Sequence, residues 1–130
     1  MIILTLRTDK PEAEIGVYDN EKQLAYETWE AHRQLAETVH KRIEEILNKL
    51  SISLDDIQGI VCFKGPGSFT GLRIGLTVAN ALAYARNIPV VARTDPQWLE
   101  KGIKDILAGQ NEKIAIPEYG AEAKTTQQRK

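Results

Sequence analysis

The sequence predicts a mixed α/β domain in which one sheet is covered by helices, in the order β-β-β-α-β-α-β-α. Three observations predict it. Short β-prone runs crowd the first part of the chain, helical spacing of apolar residues follows, and a glycine-rich loop sits between an apolar run and a second helical stretch.

Ile2 to Leu6 is a short β-prone run, and Ile15-Gly16-Val17-Tyr18, closed by Asp19-Asn20, reads as a strand entering a turn. Leu24-Ala25-Tyr26-Glu27-Thr28-Trp29 returns as a third strand, which makes an antiparallel meander. From His32 to Leu50 the period changes: Leu35, Val39, Ile43, Ile46, Leu47 and Leu50 fall on one helical face. Ser51 to Asp56 is a polar connector, Ile57 to Phe63 a buried strand, and Gly71 to Arg86 a second helix. Ile88 to Ala92 is another strand, after which Asp95-Pro96 supplies an N-cap and first-turn proline for a helix ending near Leu107. Ile114-Ala115-Ile116 adds a last short strand. Beyond Tyr119 no periodicity remains, so the folded lobe is assigned to residues 1–117 and a flexible tail to 118–130.

The 130 residues suit one domain, and 17 Lys plus Arg against 18 Asp plus Glu leave a formal net charge of -1. Non-specific electrostatic attraction to nucleic acid or anionic lipid is therefore a poor primary role. A single cysteine, Cys62, excludes an internal disulfide framework and any Cys-rich zinc site. The first apolar run is too short for a signal peptide, and no stretch approaches the ~18 apolar residues of a spanning helix. A soluble cytoplasmic protein is expected, without a membrane role.

The most informative segment is Lys64-Gly65-Pro66-Gly67-Ser68-Phe69-Thr70-Gly71-Leu72-Arg73-Ile74-Gly75. It is neither a Walker loop, since no Gly-Lys-Ser/Thr follows its glycines, nor the dinucleotide fingerprint, since Thr70 stands where the third glycine belongs. Two readings stay open. Gly65, Gly67, Ser68, Thr70, Gly71, Arg73 and Gly75 either hold a phosphate at the helix N-terminus or build a tight turn capped by Ser68 or Thr70.

At ~100° per residue, Arg73, Thr77, Asn80 and Tyr84 gather on one quarter of the following helix, and the rest is apolar or small. Leu72, Leu76, Ala79 and Ala83 make one flank, while Ile74, Val78, Ala81 and Ala85 make the other. So much apolar surface asks for cover on more than one side, and a second polypeptide is the simplest cover. Leu72, Leu76, Ala79, Ala83, Ile74 and Val78 are the candidate partner interface, and charge at Leu76 or Ala79 is expected to abolish pairing with the fold intact.

The catalytic inventory is empty. His32 and His40 stand about 80° apart and roughly 12 Å along one helix, too far to share a metal. Ser68 lacks the nucleophile elbow because Pro66 and Thr70 replace its glycines. Glu44 with Glu45 reads as a solvated face, Asp55 with Asp56 as capping residues, and Cys62 as an inert buried thiol. No catalytic residue, metal site or cofactor is assigned.

Gly65 to Gly75 resembles the signature of the TsaB family, also called YeaZ, a component of the machinery that makes threonylcarbamoyladenosine in tRNA. Weaker support comes from the first strand, from Ser53-Leu54-Asp55-Asp56-Ile57 and from Ile88-Pro89-Val90-Val91. The resemblance implies a single actin-like ATPase (ribonuclease-H-like) lobe. It also implies a non-catalytic scaffold that pairs with and supports TsaD, the threonylcarbamoyl-transferring subunit, through helices, that forms a homodimer in TsaD's absence, and that meets tRNA only through the complex. Two departures stand out. Actin-like ATPases carry an acidic residue near the end of the first strand to organise metal and phosphate, and here Arg7-Thr8 stands where many TsaB sequences have Asp-Thr. The family also has a second lobe, so independent ATP hydrolysis is not expected. The alternatives are a stand-alone nucleotide- or phosphate-binding enzyme using the Gly65–Gly75 loop, and a regulatory homodimer.

Overall fold

The computed structural model describes residues 1–31 and 34–118. Strands β1 (Ile2–Arg7), β2 (Glu12–Asp19) and β3 (Lys22–Glu30) form the expected meander, followed by α1 (Leu35–Lys49), β4 (Gly59–Phe63), α2 (Phe69–Arg86), β5 (Val90–Arg93) and α3 (Trp98–Leu107). β1 pairs antiparallel with β2 and parallel with β4, and β4 pairs parallel with β5, which gives the sheet order β3-β2-β1-β4-β5. The expected start of α1 at His32, and the tail after Glu118, lie outside the described residues.

β4 is buried at all five positions, as a central parallel strand must be when both faces are covered. Its faces divide cleanly. Gly59 lies against Ile106 and Val61 against Gly102, both of α3, while Phe63 meets Trp98 edge-on with centroids 5.8 Å apart. Ile60 and Cys62 alternate to the other face, which α1 and α2 cover together with Leu4, Leu6, Ile15 and Val17. Trp29 closes the β3 end of that core, and its indole N–H donates to Thr38 Oγ1 at 3.0 Å. On the α3 face, the Tyr26 ring lies across Gly16 next to Thr5, and the Tyr26 hydroxyl donates to Glu14.

Two expected elements differ. α3 begins at Trp98 rather than at Pro96, because the Asp95 carboxylate accepts from Arg7 instead of capping, and Gln97 at φ 62° breaks the run into the helix. Ile114 to Ile116 is not a strand. Residues 108–118 form a strap that passes β5 at Asn111 and Glu112, where side chains do the work of a strand, and runs on past α2 to Lys64. The Val90 and Ala92 amides donate to Asn111 Oδ1 at 3.2 Å and Glu112 Oε1 at 3.0 Å. The Val90 carbonyl accepts from the Glu112 amide at 2.9 Å, and the Ala92 carbonyl from Arg93 Nη1 at 2.6 Å. Farther on, the Asn80 side chain clamps Ala115 with two bonds, donating to its carbonyl at 3.0 Å and accepting from its amide at 2.7 Å. Of the four polar residues gathered on one quarter of α2, Asn80 is thus the one that holds the strap.

The polar connector is a turn of 3-10 helix, Leu54–Asp56, in which Asp56 accepts from the Ser53 amide at 3.0 Å while Asp55 pairs with Arg86. Asp56 thus takes the capping role expected of it, whereas Asp55 is an ion-pair partner that ties the connector to the end of α2. Cys62 is fully buried, and burial pushes its thiol up to about 12, against a lowering effect of the Phe63 backbone. A raised folded-state value means stability is complete below the thiol's ordinary value of 9.0 and is lost as pH rises from there towards about 12. Native protein at pH 8 is therefore expected to leave Cys62 unmodified by a thiol reagent, with labelling only at the rate of unfolding, and Cys62→Ala is expected to flatten the alkaline limb of a stability profile.

Candidate functional site

The carboxyl ends of β1, β4 and β5 meet the glycine loop at one edge of the sheet. Ser68 is the cap of α2: its Oγ accepts from the Gly71 amide at 3.4 Å, and its own amide donates to the Asp9 carbonyl at 3.3 Å. Thr70, the other candidate cap, is exposed. Thr8 Oγ1 donates to the Gly71 carbonyl at 2.7 Å. A Cβ at Gly71 would collide with the Thr8 carbonyl oxygen, and one at Gly75 with Thr8 Oγ1, so these two glycines let α2 lie directly on the β1 end. At Gly67 a Cβ would stand 2.6 Å from that of Asp9. The loop is packed against Thr8 and Asp9.

The two flanks of α2 separate sharply. Leu72, Leu76, Ala79 and Ala83 are between 0% and 3% exposed and belong to the chain's own core, so the expectation that they form a partner interface is corrected. The sheet lies beneath them, and helical periodicity cannot say which apolar flank a sheet will take. Val78, at 6% exposed, belongs to that core as well and is corrected with them, so of the six only half-buried Ile74, beside α1, keeps open surface. The outward arc carries Thr70, Arg73, Thr77, Ala81, Tyr84 and Ala85, with Tyr84 90% exposed. Beside it runs a groove between α1 and α2. One stretch, of about 410 Å³, gathers Thr70, Arg73, Ile74 and Val78 with Ala36 and His40. The next, of about 760 Å³, continues past His40 to Leu47, Leu82 and Arg86. His40 stands at the junction of the two stretches, a place its sequence does not signal, since a lone histidine on an amphipathic helix carries no mark of its neighbours.

The model of the family described as TsaD, tRNA N6-adenosine threonylcarbamoyltransferase, matches residues 29–95, which span the groove helices and the glycine loop. The chain belongs to the TsaD/TsaB (YeaZ) family. Over 92 residues it is 32% identical to the TsaB protein of Escherichia coli K12, covering 62% of this chain and 40% of that one. Over 107 residues it is 32% identical to the tRNA N6-adenosine threonylcarbamoyltransferase of Nitrosomonas eutropha, covering 70% and 32%. Among solved structures, YeaZ from Pseudomonas aeruginosa superposes with a TM-score of 0.67 at 26% identity, over 72% of this chain and 44% of that one. RuvC of Thermus thermophilus, at 15% identity and a TM-score of 0.53, shares the ribonuclease-H-like fold. The chain spans less than half the length of the TsaB, transferase and YeaZ relatives it matches.

In the TsaB-type lobe the actin-like fold implies a divalent metal and nucleotide at the strand ends, and the residues present do not fit them. Arg7 Nε stands 2.8 Å from Asp9 Oδ1 and its Nη2 3.1 Å from Asp95 Oδ2, so a guanidinium already sits between the two carboxylates a cation would need. The Asp9 side chain abuts Gly67, where a phosphate in the loop would lie, and the Ser68 and Gly71 amides are spent on internal acceptors. Among the described residues no group of three or more His, Cys, Asp or Glu stands ready for a metal. No described helix is long and apolar enough to cross a membrane.

Proposed function

We propose that this chain is a non-catalytic docking lobe for a TsaD-type threonylcarbamoyltransferase subunit in threonylcarbamoyladenosine modification of tRNA. It meets tRNA through that complex in the cytoplasm, and pairs with its own copy when the partner is absent. The observation that carries the reading is the outward arc of α2. Thr77, Ala81 and Ala85 keep side chains short along the second half of that arc, so a second helix can approach closely there, and exposed Tyr84 offers an aromatic anchor beside them. Half-buried Ile74 and the groove beside α1 extend that surface. This differs from the interface expected from sequence by one flank of the same helix. The family membership supports the partner, since its members are named for this modification.

The test separates folding from docking. Ala81→Glu places a charge on the exposed arc, so its unfolding midpoint is expected to stay within about 2 °C of wild type. Its affinity for the TsaD-type subunit of the same source is expected to fall about 30-fold or more, the size of a hot-spot loss. Tyr84→Ala is expected to cost about 10-fold. A threonylcarbamoyl-transfer assay with and without the chain then reads the function. Full co-purification of Ala81→Glu, or transfer unaffected by omitting the chain, would count against the proposal.

A further inference from the structure

The strand ends are held together by their own side chains. Three separate segments end there. Arg7 closes β1, Phe63 closes β4, and Asp95 follows β5, while Asp9 lies two residues beyond β1. All of them converge on one guanidinium. Arg7 Nε and Nη2 contact the two oxygens of Asp9 at 2.8 and 3.2 Å, a fork-on-fork pair. Nη1 reaches Asp95 Oδ1 at 3.3 Å, and Nη2 its Oδ2 at 3.1 Å. The guanidinium carbon stands 3.7 Å from the centroid of the Phe63 ring. The Arg7 side chain is 13% exposed and that of Asp9 is 7% exposed, whereas Asp95 is open at 56%.

The chemistry at this edge is that of a cation shared by two carboxylates. A nearly buried carboxylate such as Asp9 is stable only with a charge partner. Burial alone would disfavour the Arg7 charge, but its hydrogen bonds to Asp9 and Asp95 and their attraction outweigh that, and the group is held above its ordinary value. Asp9 in turn carries the glycine loop, through its carbonyl to the Ser68 amide, and neighbouring Thr8 holds Gly71. We infer that Arg7 is a built-in cation which ties Asp9 and Asp95 together, so that the glycine loop and the start of α2 hold their positions with no divalent metal or nucleotide. The inference concerns the lobe alone and stands apart from the docking proposal.

The test uses the isolated chain, so a failure of docking leaves it untouched. Wild-type protein is expected to unfold at a midpoint that moves less than about 1 °C with magnesium, EDTA or magnesium-ATP, and calorimetry with magnesium-ATP is expected to show no binding. Arg7→Met keeps the length of the arm and removes the charge, and its midpoint is expected to fall by about 10 °C. Adding Asp9→Asn to that variant removes the orphaned carboxylate and is expected to restore at least half of the loss. Arg7→Lys, a point charge without the fork, is expected to fall between wild type and Arg7→Met. An unchanged midpoint in Arg7→Met would overturn the inference, as would a double variant no better than the single one, or micromolar magnesium-ATP binding by wild type. If Arg7→Met does not fold, the double variant decides: folding supports the built-in cation and failure to fold overturns it.

Discussion

Leu76→Glu is expected to yield no cooperatively folded protein, rather than a folded protein that has lost its partner. Leu76 is 3% exposed, on the α2 flank that lies on the sheet. Deleting such a leucine costs about 2–5 kcal/mol, and an unpaired buried carboxylate adds several more. Against a whole-domain stability of roughly 5–15 kcal/mol, that sum removes the folded state. Far-ultraviolet circular dichroism and a urea titration read the result directly. A sigmoidal transition near the wild-type midpoint would mean that Leu76 is not in the core. Ala81→Glu, on the exposed arc five residues on, is the control that carries the same charge on the same helix.

Gly71→Ala is expected to lower stability by about 3 kcal/mol or more, a shift in midpoint of about 10 °C. One methyl group does this because its position is occupied by the carbonyl oxygen of Thr8, a backbone atom that cannot rotate away. Gly75→Ala meets Thr8 Oγ1 instead. The two therefore respond differently to a second change. Thr8→Ala is expected to recover part of the Gly75→Ala loss and none of the Gly71→Ala loss. Equal rescue of both in thermal denaturation would show that β1 and α2 do not touch as described.

The periodic elements were legible in the sequence because one apolar stripe or alternation serves one buried surface. Leu35, Val39, Ile43 and Ile46 mark α1, and the meander follows from its turns, so both appear as expected. The elements that depend on distant partners were not legible. Ile114 to Ile116 has the composition of a strand, but Asn80, Asn111 and Glu112 satisfy the same backbone groups with side chains. Asp95 has the composition of an N-cap, but Arg7, far away in sequence, claims its carboxylate. The candidate site divides in the same way. The wheel of α2 names two apolar flanks correctly and is silent on which one meets the sheet, while the glycines announce a close approach without naming Thr8 and Asp9 as what approaches. Arg7 was legible as a departure from the family pattern, and its two carboxylates were not.

The strap along β5 sets how this sheet can grow. Every outward amide and carbonyl of Val90 and Ala92 is already bonded by Asn111, Glu112 or Arg93, so an incoming strand finds nothing to pair with there. At the opposite margin β3 has no neighbour among the described residues. Among the described residues the sheet therefore offers an incoming strand its β3 side and not its β5 side. Between copies of the described residues, strand-edge pairing is accordingly expected to run through β3 and not through β5.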